Sequence, residues 1–258
     1  MANGSICIER VLEKLDAYLH ANDYLSAERH LVYWLDEAKL MRDRRAELFL
    51  FNELMGLYRK LGKRDEAIEF ATRALSLACE GGAGEITVAT TYINAATVYK
   101  AFSMPERSLP LFSKAKEIYE RELDVCDVRI GGLYNNMGLA FADLSLFADA
   151  EECYNKAISV MENIPDREGE IAITYLNLAT MVEKKHGLVD GDEQIREYLD
   201  RAESLLDQHT VRDGYYAFVC DKCATVFGYY GRFVYEKKLA ERAREIYERE
   251  RLRMGEQE

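Results

Sequence analysis

Cys220-Asp-Lys-Cys223 places two thiols three residues apart, the spacing of redox dithiols and of half a zinc site. A zinc site needs two further ligands. The four histidines, His20, His30, His186 and His209, form no nearby pair to supply them. Both cysteines also fall at the helical positions that Tyr134 and Met137 occupy elsewhere in the chain, so they are expected to pack in a core. Asp190, Asp192 and Glu193 cluster within His186-Gly-Leu-Val-Asp-Gly-Asp-Glu-Gln194, but their spacing is not that of a helix–loop–helix calcium site, and a surface turn is expected instead. Gly81-Gly-Ala-Gly84 lacks the Lys-Ser/Thr that would make a phosphate loop. Paired acids such as Glu151 and Glu152 fall on solvated helix faces. No set of residues combines a nucleophile, a base and an orienting group. Neither catalysis, metal nor cofactor is expected, and the function is to be sought in binding.

Composition points the same way. The chain has 258 residues, of which 48% are hydrophobic and only three are proline, so a large and mostly helical core can form. A formal charge of −12 disfavours nucleic acid and anionic lipid. The start, Met1-Ala-Asn-Gly-Ser5, has no basic and apolar leader, and no stretch reaches the eighteen or more apolar residues of a membrane span. A cytoplasmic protein is expected. Its six cysteines, Cys7, Cys79, Cys126, Cys153, Cys220 and Cys223, are read mainly as small buried apolar residues in a reducing compartment.

The elements that must carry a binding surface repeat. Large side chains recur at Tyr18, Tyr58, Tyr99, Phe141, Val182 and Phe227, in steps of 40, 41, 42, 41 and 45 residues. Each step holds two amphipathic helical stripes joined by a short polar turn. Small residues recur seven apart in the second stripe: Ala67 and Ala74, Ser108 and Ala115, Ala150 and Ala157. Two helical turns put each pair on one face, where helices can approach closely. The expected fold is all-α, an α-solenoid of six antiparallel helix pairs in a single domain over 1–258. Its repeats are 5–42, 44–79, 85–124, 127–163, 168–209 and 211–254. Ser103 and Thr210 are the expected caps of the helices that follow them. Pro110 is expected to kink its helix, and the charged last helix, Phe233 to Arg253, is expected to close the array.

This pattern resembles the tetratricopeptide repeat. Tyr134, Met137-Gly138, Phe141, Ala150, Tyr154 and Ala157 match it best, and the likeness covers nearly the whole chain. At about 42 residues the units are similar to the kinesin light chain class of long repeat, and bacterial peptide-pheromone regulators also use long repeats. The resemblance implies a right-handed superhelix whose first helices line a concave groove that holds protein or peptide.

Asn94, Asn136 and Asn177 share one repeat position, with Asn52 and Asn135 one position earlier in their units. They are expected to form an amide ladder that holds the backbone of an extended peptide, or else sets the packing between repeats. Arg59, Lys100, Lys184 and Lys222, with Tyr229, complete the expected binding surface and favour an acidic segment. Lys60, Thr97, Leu139, Asp143, Thr180 and Thr225 lie around them. Two alternatives remain open: self-assembly as a homodimer through Tyr229 and Tyr230, and a regulatory protein that responds to a bound peptide.

Overall fold

The computed structural model describes residues 5–255, without the side chains of His20 and of 253–255. The first four residues, the last three and the His20 side chain, all used above, lie outside the described part. The chain falls into two compact units, Met1–Glu122 and Leu123–Glu258. Unit one contains α1 (Ile8–His20), α2 (Tyr24–Met41), α3 (Arg44–Lys60), α4 (Arg64–Cys79), α5 (Glu85–Ala101) and α6 (Pro105–Glu122). Unit two contains α7 (Val128–Asp143), α8 (Phe147–Glu162), α9 (Glu168–Asp190), α10 (Asp192–Gln208), α11 (Gly214–Tyr229) and α12 (Phe233–Gly255). Each unit is a short all-α solenoid of three helix pairs. Partners pack within each pair; α3 also meets α5 in unit one, and α9 meets both α7 and α11 in unit two.

The small residues are where the helices close on one another. Ala67, Ala74, Ser108, Ala115, Ala150 and Ala157 are all fully buried. A larger side chain there would separate the helices, because a core is already filled to near crystal density. Around them, unit one packs Leu31, Leu50, Leu54 and Met55, and unit two packs Tyr154, Leu178, Leu199 and Phe227.

Five of the six pairs turn in the same way. Asn22, Gly62, Ser103, Ser145 and Gly231 adopt left-handed φ values of 55°, 69°, 60°, 59° and 77°. The next residue's N–H then reaches back to the carbonyl of Tyr18, Tyr58, Tyr99, Phe141 or Phe227, each at 2.9 Å. Those acceptors are the large residues that mark the period. The preceding bond, such as Gly62 N–H to the Arg59 carbonyl at 3.2 Å, completes a Schellman motif that satisfies the helix end. Ser103 therefore ends α5 instead of capping α6. The left-handed backbone it needs is incompatible with an N-cap's extended one. Thr210 is not a cap either: Asp213 accepts from the Tyr216 N–H at 2.9 Å and starts α11.

At a left-handed position a side chain costs about 1–2 kcal/mol, while glycine loses about 0.5–1 kcal/mol of chain entropy on folding. Ser145 is exposed and left-handed. Ser145→Gly is therefore expected to raise the urea midpoint by the equivalent of about 0.5 kcal/mol. A lower midpoint would show that the serine hydroxyl matters more than the backbone.

The fifth pair differs. α9 passes His186 without a left-handed turn and breaks at Gly187, where φ is 78° and ψ is 171°. The segment expected as a surface turn that lengthens the pair is mostly exposed and winds a further helical turn, closed by the Gly191 N–H on the Gly187 carbonyl at 3.1 Å, before α10 begins. At Pro110, α6 stays helical from Pro105 to Glu122.

Candidate functional site

The first helices of the second to fifth pairs, α3, α5, α7 and α9, carry the asparagines. Asn94 on α5 donates from Nδ2 to Asn52 Oδ1 on α3 at 2.9 Å. Asn52 in turn donates to the Thr91 hydroxyl at 3.0 Å and to the Leu48 carbonyl at 2.9 Å. In unit two, Asn177 on α9 donates to Asn135 Oδ1 on α7 at 3.0 Å. Asn136 turns back to the Gly132 carbonyl of its own helix at 3.0 Å. The rungs thus pair Asn52 with Asn94 and Asn135 with Asn177, each 42 residues apart. Asn136 takes no part in either rung. One residue of offset rotates a side chain by about 100° around a helix, enough to take Asn136 off the line.

These amides are half-buried, and their pairing draws neighbouring first helices together. The pairing leaves capacity over. An asparagine offers two N–H donors and two acceptor lone pairs. Asn94 and Asn177 each spend one N–H on the pair, and neither Oδ1 accepts a hydrogen bond from the described residues.

Cations lie on the first helices as well. Arg59 and Lys60 are exposed at the end of α3, with Lys60 Nζ 4.9 Å from the Tyr24 ring centroid. Lys100 is half-buried on α5. Lys184 pairs with Asp143 at 2.7 Å, joining α9 to the end of α7. Lys222 is exposed, with Nζ 5.7 Å from the Phe218 ring centroid. The hydroxyls of Thr97, Thr180 and Thr225 bond to carbonyls of their own helices. Leu139 packs partly buried against the core of unit two. Tyr229 and Tyr230 both donate to Glu183, Tyr230 at 2.7 Å. Burial and the Glu183 carboxylate together raise the Tyr230 phenol above its usual pKa. Beside Asn52, half-buried Glu53 has its carboxyl raised by burial and by the charge of Asp16.

Cys220 and Cys223 are fully buried in unit two. Burial raises both thiols, Cys223 to about 12, so they persist as thiols in the core. Cys153 is buried as well. Cys7, Cys79 and Cys126 are exposed, contrary to the expectation for the whole set. They sit at helix ends or in connections, where periodicity assigns no buried face. Among the described residues no cluster of histidine, cysteine and carboxylate could hold a metal ion, and no helix is long and apolar enough to cross a membrane.

Sequence reasoning missed two cavities in unit two. One, of about 500 Å³, opens beside the Gly187 break and is lined by Leu188, Ile195, Leu199, Tyr229 and Tyr230, with charged residues at its edge. The break leaves Leu188 and Val189 exposed there. The other lies against α12 and is lined by arginines. Only the glycine at 187 hinted at the first, and dense charge hid the second.

No family model matches the chain, and no curated protein matches it. Among solved structures it is similar to BtubC (BKLC) from P. vanneervenii, at 22% identity with a TM-score of 0.67. That likeness covers 79% of this chain and 82% of the other. A putative kinesin light chain from Podosopora anserina with nearly identical TPR-like repeats matches at 14% identity and a TM-score of 0.54, over 78% of this chain and 94% of its own. At such identities the likeness establishes the fold, an array of tetratricopeptide-like helix pairs.

Proposed function

We propose that the chain is a non-catalytic scaffold that holds an extended protein or peptide segment along its first helices. The observation that carries this reading is the residual hydrogen-bonding capacity of Asn94 and Asn177, the donor of each amide rung. A backbone amide and carbonyl of an extended segment match an asparagine's free N–H and Oδ1 without demanding a particular sequence. Arg59, Lys100, Lys184 and Lys222 lie on first helices and favour a segment of acidic character. We place this activity in the cytoplasm, where the exposed thiols stay reduced.

An array of extended peptides of graded charge, followed by titration of the best binders, tests the reading. Asn94→Ala combined with Asn177→Ala is expected to weaken binding at least tenfold, about 1.4 kcal/mol. Asn136→Ala is expected to leave it nearly unchanged, because that amide is engaged with its own helix. Equal affinities for all three proteins, with helicity intact, would remove the groove assignment.

A second reading, homodimerisation, is favoured by the apolar side chains at the turn ends of unit two. Val189 and Val234 are 88% and 85% exposed, and Leu188, Tyr229 and Phe233 are exposed as well. Light scattering over a range of concentrations separates the readings: a constant monomer mass excludes assembly.

A further inference from the structure

We infer that unit two holds a phosphoryl group in a cavity of about 300 Å³ lined by Arg212, Arg242, Glu245, Ile246 and Arg249. Arg212 lies in the connection before α11. Arg242 and Arg249 are two helical turns apart on one face of α12, so three guanidiniums from two elements meet at one cavity. This site stands apart from the proposed groove, since none of these arginines belongs to a first helix.

All three arginines bond to neutral oxygens, and Arg242 to the Asp207 carboxylate as well. Tyr216 is 1% exposed, and its hydroxyl donates to the Leu206 carbonyl at 2.9 Å. The same hydroxyl accepts from Arg242 at 3.1 Å and from Arg212, whose guanidinium carbon lies 4.4 Å from the ring centroid. Arg249 donates to the Arg212 carbonyl. A guanidinium has five N–H donors, so each of these bonds fixes its orientation and leaves donors over.

The charges there are not balanced. Arg242 pairs with Asp207 at 2.7 Å, and Lys238 shares that carboxylate at 2.9 Å. Burial alone would raise the Asp207 carboxyl, but hydrogen bonds from Lys238, Arg242 and Tyr235 outweigh it and hold the group below its usual range. Neither Arg212 nor Arg249 forms an ion pair among the described residues. Of the nearby acids, Glu245 lines the cavity, while the Glu250 carboxylate lies against Gly214. Three arginines and Lys238 thus face Asp207, Glu245 and Glu250, a positive excess of one within a chain of net charge −12.

That excess selects the ligand. A planar carboxylate is satisfied by one guanidinium fork. A phosphoryl group presents three terminal oxygens and a charge near −2, which suits two unpaired guanidiniums reaching from different elements. The group could come as free phosphate or on a phosphorylated side chain of a partner segment.

Calorimetric titration of the full chain in low-salt buffer free of other oxyanions tests the site. The probes are inorganic phosphate, a phosphoserine peptide and the same peptide with serine. Saturable binding of phosphate or of the phosphoserine peptide is expected, with the serine peptide at least tenfold weaker. Phosphate saturating alone identifies a free-anion site; the phosphopeptide alone identifies a phosphorylated protein segment. Arg249→Gln, an exposed position, is expected to weaken binding at least tenfold. Arg212→Gln is expected to do the same, with its fold checked by circular dichroism. Arg73→Gln, in a surface pair with Glu69 on α4, should change nothing. Absence of saturable binding by either phosphorylated probe, or full affinity in Arg249→Gln, overturns the inference.

Discussion

Replacing Gly138 with alanine is expected to lower the stability of unit two by about 2 kcal/mol, although alanine favours a helix over glycine by about 1 kcal/mol. The reason is steric. A Cβ at 138 would lie 2.6 Å from Tyr154 Cε1 and 2.7 Å from Cδ1, closer than such atoms can approach. The Tyr154 ring is fully buried between α7 and its neighbours and cannot swing aside. Either the ring or α7 must shift, at about 3 kcal/mol for an overpacked core, so the clash outweighs the gain in propensity. Gly56 provides the control. It too lies inside a helix, α3, but a Cβ there would meet nothing within 4 Å. Gly56→Ala is expected to stabilise unit one by about 0.5–1 kcal/mol. Urea unfolding of the two variants should move the midpoint in opposite directions. Parallel shifts would contradict the assigned packing. Tyr154→Leu should cost less in the Gly138→Ala background than alone, since it removes the atoms in collision.

Asn52→Ala is expected to cost unit one about 2 kcal/mol, the largest effect among the asparagines. It deletes two donated bonds and the acceptor for Asn94, and it leaves the fully buried Thr91 hydroxyl with only its bond to the Thr87 carbonyl. Asn94→Ala removes one bond and should cost about 1 kcal/mol. If the rung couples α3 to α5, the double variant should be less destabilised than the sum of the two, by about 1 kcal/mol. Strict additivity would mean that the two amides act separately. The cycle also divides the two roles of these residues. Asn52 should matter more for stability, while Asn94, whose Oδ1 is open, should matter more for peptide affinity.

The two units deserve different probes. Gly138 and Tyr154 report on Leu123–Glu258, and Asn52, Asn94 and Gly56 report on Met1–Glu122. A variant in one unit that left its own transition unmoved would be evidence against the local contacts assigned to it.

Much of the fold was legible before any coordinates, because helical patterning is local. The period from Tyr18 to Phe227, and the small residues at 67, 74, 108, 115, 150 and 157, follow from which side chains share a face after seven residues. That all six small residues are fully buried shows how strongly spacing alone determines a seam. The burial of Cys220 and Cys223 was readable for the same reason. The asparagines were readable as a set but not as rungs. Which amide meets which depends on how far each helix is rotated against its neighbour, and a one-residue offset changes that by about 100°.

Other features belong to the tertiary structure alone. Ser103 reads as a cap by residue type, yet the carbonyl of Tyr99 closes the turn behind it and requires a left-handed backbone there. The Gly187 break exposes Leu188 and Val189 beside a cavity that exists only because α10 and α11 face it. The dense charge of α12 reads as a solvated terminal face. Only packing against Tyr216 and the chain before α11 brings Arg212, Arg242 and Arg249 together. Sequence by itself determined the period, the helix pairs and the seams, since these arise from neighbours along the chain. Tertiary structure decided which polar groups converge, since that convergence joins residues 26 to 42 positions apart whose helices must first be set against each other.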